Sequence, residues 1–108
     1  MKAPLLCLTL SLLFAAPLRA EVPVFELIIK EHRFQPDSLE VPAGQRIKLL
    51  VKNQDPGPEE FESYELNREK IISGNSQAVI YVGPLEPGKY PFFGEFHPKT
   101  AQGMLLAK

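Results

Sequence analysis

Polar and apolar positions alternate along most of the chain beyond residue 20, at the two-residue period of a β-strand. Val24 to Lys30 (VFELIIK) is rich in β-branched and aromatic residues and predicts a first strand. Phe34 to Val41 predicts a second, with Pro36 near its start, where a missing N–H is tolerated best. Arg46 to Lys52 alternates around Ile47, Leu49 and Val51. Gln77 to Val82, Lys89 to Glu95 and Met104 to Ala107 read the same way. Phe61 to Leu66 predicts a further strand, and Asn67 to Ile72 a short strand or helical turn. Turn residues separate these runs: Pro42-Ala43-Gly44, Asn53 to Pro58 (NQDPGP), Gly74, and Gly83 to Gly88. No segment sustains a helical period. Seven or eight short strands punctuated by Gly and Pro predict an all-β fold, an antiparallel sandwich.

The first twenty residues break this pattern. Lys2 precedes an apolar run from Leu5 to Ala16, and Leu18-Arg19-Ala20 offers a small residue for cleavage. The run is too short to span a bilayer and predicts a cleaved secretory signal. The expected organisation is a signal peptide at residues 1–20 and one domain at residues 21–108, exported to the periplasm. The single cysteine, Cys7, falls inside the signal, so the domain has no thiol and no disulfide. Removing Lys2 and Arg19 leaves ten basic against thirteen acidic side chains, a net charge of −3. That balance gives no electrostatic case for nucleic acid but suits a cation or a basic partner. There is no Ser-His-Asp set, no phosphate-cradling Gly loop and no Cys-pair zinc motif. With two histidines in the chain, a three-His zinc site within one subunit is excluded.

The candidate chemistry is carboxylate and imidazole. Glu59, Glu60, Glu62, Glu65 and Glu69 put five carboxylates in a short run. Most such runs are solvated acidic faces. If Phe61 points into the core, strand alternation puts Glu60 and Glu62 on the opposite face and Glu59 on the core side. His97 lies in the last long loop, with Glu95 two residues before it. In an extended segment Glu95 and His97 point the same way and form a carboxylate–imidazole pair. The alternative pairs Glu95 with Lys99. His32, at the end of the first strand or in the turn after it, reads first as a surface residue.

Two segments carry a family resemblance. Phe34-x-Pro36-x-x-Leu39-x-Val41-x-Ala43-Gly44 is similar to the second strand and turn of bacterial cupredoxins. Leu85-x-Pro87-Gly88-x-Tyr90, followed by Phe92-Phe93-Gly94-Glu95-Phe96-His97 and Gly103, resembles their late strand, ligand loop and closing strand. The resemblance implies a cupredoxin-like Greek-key β-sandwich or barrel. It puts Phe34, Leu39 and Val41 in the core and makes Tyr90 a corner tyrosine. It also implies that the copper ligands are mostly gone. Gly94 stands at the Cys position, Ala101 at the axial Met and Glu59 at the first His, while His97 alone is kept. Met104 follows Gly103 and belongs to the last strand. A blue type 1 centre, which needs a thiolate with two imidazoles, is therefore not expected.

The run Glu60-Phe61-Glu62 resembles the acidic-aromatic-acidic run that replaces the His in thiol-poor cupredoxins of iron-uptake systems. These include the cupredoxin part of EfeO-type proteins and the small cupredoxin-like component of ferrous-iron transport operons. EfeO-type domains carry two Cys at positions that here are Phe34 and Gly94; the Phe92 to Gly103 loop is closer to the small component. The resemblance implies a metal site of His97, Glu95, Glu60 and Glu62, with Glu59, Glu69 and His32 as further candidates. Oxygen and nitrogen donors suit Cu²⁺ or Fe²⁺, and also Mn²⁺ or Zn²⁺. The implied role is iron acquisition beside a membrane iron permease or a periplasmic iron-binding protein, with assistance to ferrous-iron oxidation. The protein would act as a monomer or homodimer, peripheral to the membrane at most. The alternative is a metal-free β-sandwich that serves as an interaction module.

Overall fold

The computed structural model describes residues 21–108 together with Pro4; the expected signal peptide otherwise lies outside the described residues. Nine strands follow one another: β1 (Val24–Lys30), β2 (Arg33–Gln35), β3 (Ser38–Val41), β4 (Ile47–Asn53), β5 (Glu59–Ser63), β6 (Arg68–Ile72), β7 (Ser76–Val82), β8 (Gly88–Gly94) and β9 (Gln102–Ala107). They form two sheets, in the orders β2-β1-β4-β7 and β3-β9-β8-β5-β6. The all-β sandwich is as the alternation predicts, and residues 68–72 settle as a strand.

Two details differ from expectation. The run from Phe34 to Val41 is two strands in different sheets, which raises the count to nine. The break falls at Pro36 and Asp37. Pro36 has no N–H to continue the β1 ladder, and the Asp37 carbonyl instead accepts from Met104 N at 2.8 Å in the other sheet. The pairing is also mixed: β1 runs parallel to β4, and β3 parallel to β9. Switching sheets between β2 and β3 turns the chain, so each half pairs with a strand far away in sequence.

The inner faces of both sheets close on one core. Leu27 and Ile29 of β1, Ile47, Leu49 and Val51 of β4, Phe61 of β5 and Leu105 of β9 are fully buried. Phe34, Phe61 and Phe92 form an aromatic cluster, with Phe34 edge-on to Phe92 at 4.9 Å and Phe61 stacked on Phe92 at 5.1 Å. Phe34 and Val41 are buried and Leu39 is partly buried against the core, as the motif implies. Gly44 takes φ +76°, a left-handed turn conformation that glycine adopts without strain. The Tyr90 hydroxyl donates to the Glu86 carbonyl at 2.8 Å and fixes the corner before β8.

Candidate metal centre

Three loops meet at one end of the sandwich: the Glu31–His32 turn between β1 and β2, the Asp55 region before β5, and residues 95–101 between β8 and β9. The first is a two-residue hairpin in which Glu31 (φ 52°) and His32 (φ 57°) are both left-handed. Neither is glycine, so the turn needs support from elsewhere. Asp55 supplies it. Its two carboxylate oxygens accept from the Glu31 amide at 2.7 Å and the His32 amide at 3.0 Å. Asn53 in turn holds the Asp55 backbone, accepting from Asp55 N at 3.0 Å. Burial acts to raise the Asp55 carboxyl, but the His32 and Glu31 amides and the neighbouring imidazole outweigh it and hold the group below its ordinary value.

The hairpin delivers the His32 ring onto His97. The two imidazoles stack with centroids 3.6 Å apart and planes 17° from parallel. His32, read from sequence as a surface residue, is half exposed and yet part of the cluster. His97 is placed by its own loop. Residues 95–100 turn back on themselves after β8 ends at Gly94, with His97 N donating to Gly94 O at 3.1 Å and Ala101 N to His97 O at 2.9 Å. The segment is not extended, so Glu95 does not share a side with His97, and Glu95 is exposed.

The partner of His97 is Glu59. His97 Nδ1 lies 2.6 Å from Glu59 Oε2. Glu59 is on the core side of β5 and 2 % exposed. Its Oε1 accepts from Glu60 N at 3.0 Å and Phe96 N at 2.9 Å, so the carboxylate bridges the strand and the loop. Room for it comes from Gly94: a Cβ there would stand 2.6 Å from Glu59 Cδ and 2.7 Å from Ala101 Cβ. The four positions aligned with cupredoxin ligands, residues 59, 94, 97 and 101, thus converge in space. Two now hold donors, and two hold the small residues that make space for one of them. A shallow cavity of about 400 Å³, lined by residues that include His32, Phe96 and His97, opens the centre to solvent.

Glu60 and Glu62 are elsewhere. Phe61 points into the core, which turns both to the outer face of the five-stranded sheet, beside Glu69. Among the described residues, potential ligand atoms within 4.8 Å of one another fall into two sets: His32, Glu59 and His97, and Glu60, Glu62 and Glu69. The sequence-derived quartet of His97, Glu95, Glu60 and Glu62 is therefore not brought together as one set. Asp55 was missed because its loop reads only as a turn. The signal was an acidic residue just before Pro56-Gly57, which carries no hint of the hairpin it reaches.

The first set fits a divalent ion with mixed N/O preference. Two imidazoles and one carboxylate suit Cu²⁺, Fe²⁺ or Zn²⁺, and without thiolate or thioether they do not form the blue-copper set. The Nδ1–Oε2 contact is a hydrogen bond between an imidazole nitrogen and a carboxylate oxygen. A divalent ion would be held by His97 Nδ1 and Glu59 Oε2, with His32 beside them. A metal held by both atoms would take the place of the proton they share.

Comparison with known proteins agrees with the fold. A family model described as the cupredoxin-like domain matches residues 3–107. The uncharacterized protein RP394 of Rickettsia prowazekii (strain Madrid E) is 46 % identical over 81 residues, 75 % of this chain and 65 % of that protein. This chain thus spans just under two thirds of that relative's length. Auracyanin A, a "blue" copper protein from Chloroflexus aurantiacus, superposes with TM-score 0.68 at 16 % identity, over 79 % of this chain and 98 % of its own. The metal-binding domain of the Cu(I)-exporting P-type ATPase CopA of Streptococcus pneumoniae D39 gives 0.70 at 16 %, over 79 % and 84 %. Amicyanin from Paracoccus versutus gives 0.62 at 16 %, over 82 % and 83 %. At such identities these likenesses establish architecture alone. With the family model spanning nearly its whole length and the same two-sheet fold, this chain belongs to the cupredoxin-like domain family.

Proposed function

We propose that this protein is an exported metal-binding cupredoxin that takes up Cu²⁺ or Fe²⁺ at Glu59, His97 and His32 and serves iron acquisition beside a membrane iron permease. One observation carries the reading. A nearly fully buried carboxylate meets the loop imidazole at 2.6 Å, in space vacated by a glycine at the former thiolate position. A buried acid is rarely kept in a small β-sandwich without a partner of opposite charge or a metal. Glu59 has two amides and one imidazole, a donor set that a cation can join. Auracyanin A, a copper protein, and the metal-binding domain of a Cu(I) exporter share the fold, which supports the choice of copper. The switch from sulfur to oxygen donors, and the resemblance of the 60–62 run and the 92–103 loop to iron-uptake cupredoxins, support the iron role.

The test is titration of the purified protein with Cu²⁺ and Fe²⁺. One equivalent should bind to the wild type, and Glu59→Gln with His97→Ala should weaken that by at least a hundredfold. Retained affinity in the double variant would remove the site assignment. Deleting the chromosomal copy should slow growth under iron chelation but not in iron-replete medium. Equal growth in both would remove the iron role while leaving the site intact.

A further inference from the structure

The chain beyond residue 20 is acidic as a whole, but its charges are segregated. Five of its ten basic side chains stand on the outer face of the four-stranded sheet: Lys30, Arg33, Arg46, Lys48 and Lys52. Of its thirteen acidic residues, the strands of that sheet contain only Glu26, which is paired with Lys52. We propose that this face docks the protein onto a bilayer surface of anionic phospholipid headgroups.

Strand register makes the face a grid in which cations and apolar side chains interleave. Lys48 lies between Val24 of β1 and Tyr81 of β7, and Leu50 between Glu26 and Val79. Lys52 lies between Ile28 and Gln77, and Lys30 is paired with Arg33 across the β1–β2 hairpin. Val24, Val79 and Tyr81 are exposed, although a solvated sheet face ordinarily turns polar residues outward. The Arg46 guanidinium stands 4.2 Å from the Tyr81 ring centroid and the Lys48 ammonium 5.4 Å, so one aromatic ring carries two cations. Among the described residues, Lys30, Arg33, Arg46 and Lys48 make no ion pair, which leaves their charge for a partner.

Three features select a bilayer as that partner. The cations are spread out rather than convergent: Lys48 and Lys52 alone are four residues apart along β4, about 13 Å, so no single phosphate meets them. Tyrosine and aliphatic side chains between lysines and arginines suit the headgroup level, where apolar stems sink and charged tips meet phosphates. The outer face of the other sheet carries Glu60, Glu62 and Glu69, so an anionic plane attracts one side of the molecule and repels the other, which fixes its orientation. Lys30 and Arg33 flank the Glu31–His32 turn, so docking lays that hairpin along the bilayer. None of Glu59, His97 and His32 belongs to the grid, and the docking face stands whether or not a metal binds. Each basic side chain near an anionic surface raises partitioning about fivefold, a gain that decays within a Debye length.

The experiment is co-sedimentation of the purified protein with vesicles of phosphatidylcholine, alone or with about one third phosphatidylglycerol. The protein should pellet with the mixed vesicles at low salt, stay in solution with the neutral ones, and be released by about 0.5 M NaCl. Arg46→Gln/Lys48→Gln should weaken partitioning at least tenfold, with an unchanged far-UV CD spectrum. Lys89→Gln/Lys108→Gln makes the same change of net charge on the side of the other sheet, and should leave partitioning within about twofold of wild type. Equal loss in the two variants, equal binding to both kinds of vesicle, or binding to neither would overturn the docking face. A salt-sensitive dimer in sedimentation velocity without vesicle binding would also overturn it, and would give the face to the acidic side of a second copy. Copper titration of the same variants should match wild type, which keeps this result separate from that of the metal centre.

Discussion

Residue 94 shows how much one missing side chain decides. Gly94 lies on β8 opposite Phe61 of β5, and only hydrogen stands between its backbone and the Glu59 carboxylate. Gly94→Ala places a methyl 2.6 Å from Glu59 Cδ and 2.7 Å from Ala101 Cβ, both inside the packed core. Overpacking of this kind costs about 1–3 kcal/mol. The expected result is a lower urea midpoint together with lost Cu²⁺ binding, since Glu59 must leave its amides to make room. The same residue explains a spectroscopic expectation. With no cysteine between residues 21 and 108, the Cu²⁺-loaded protein should lack the intense blue thiolate-to-copper band, which an absorption spectrum checks directly. Glu59 itself was partly legible in sequence, as the residue at the first-His position and on the core side of Phe61. What sequence could not give was the loop turning at Glu95 to bring Phe96 N and His97 Nδ1 onto the carboxylate.

The β1–β2 hairpin is the element on which the centre depends and the one least visible in the sequence. The strands of the sandwich were legible because alternation reports burial directly, and most bounds shift by only a residue or two. The hairpin was not, because Glu31 and His32 are poor turn formers whose left-handed backbone is stabilised by Asp55, more than twenty residues away. The break of residues 34–41 into two strands was hidden for a related reason. Its apolar phase slips by one across Pro36, from Phe34 to Leu39 and Val41, but only the hydrogen-bond partners show that the two halves lie in different sheets. Asp55→Ala removes two acceptors from buried or half-buried amides and should destabilise the domain by about 2 kcal/mol. It should also weaken Cu²⁺ binding by releasing His32, whereas a purely structural role would leave affinity per folded molecule unchanged. The Asp55 carboxyl is held below its ordinary value of 3.8, so the folded state favours its ionised form. That contribution is fully present above pH 3.8 and is lost as the pH falls through the lower folded value. Denaturant melts carried from neutral pH to well below pH 3.8 should therefore show a wild-type acid limb that is shallower in Asp55→Ala.

For the molecule as a whole, an ion bound at the proposed centre would couple metal to stability. A domain of this size has a modest core, and its margin is a few kcal/mol. An ion bound only by the folded state adds about 2.7 kcal/mol at a hundredfold excess over Kd. For a chain of this length that corresponds to a rise in Tm of about 10–20 °C, readable by calorimetry with and without Cu²⁺. Glu59→Gln/His97→Ala should abolish the rise. The scaffold itself, nine strands around the Phe34–Phe61–Phe92 cluster, does not need the ion for its hydrophobic closure. That independence is what lets one architecture carry different ligand sets. It does not make every exchange accessible in steps. A cysteine introduced alone at position 94 would compete with an acid at position 59 for the same few cubic ångströms, and loss of the acid alone would leave a hole beside a lone imidazole. The path between sulfur-bound and oxygen-bound versions of this barrel therefore runs through a paired change, and a mutational library that varies these two sites one at a time should find neither neighbour functional.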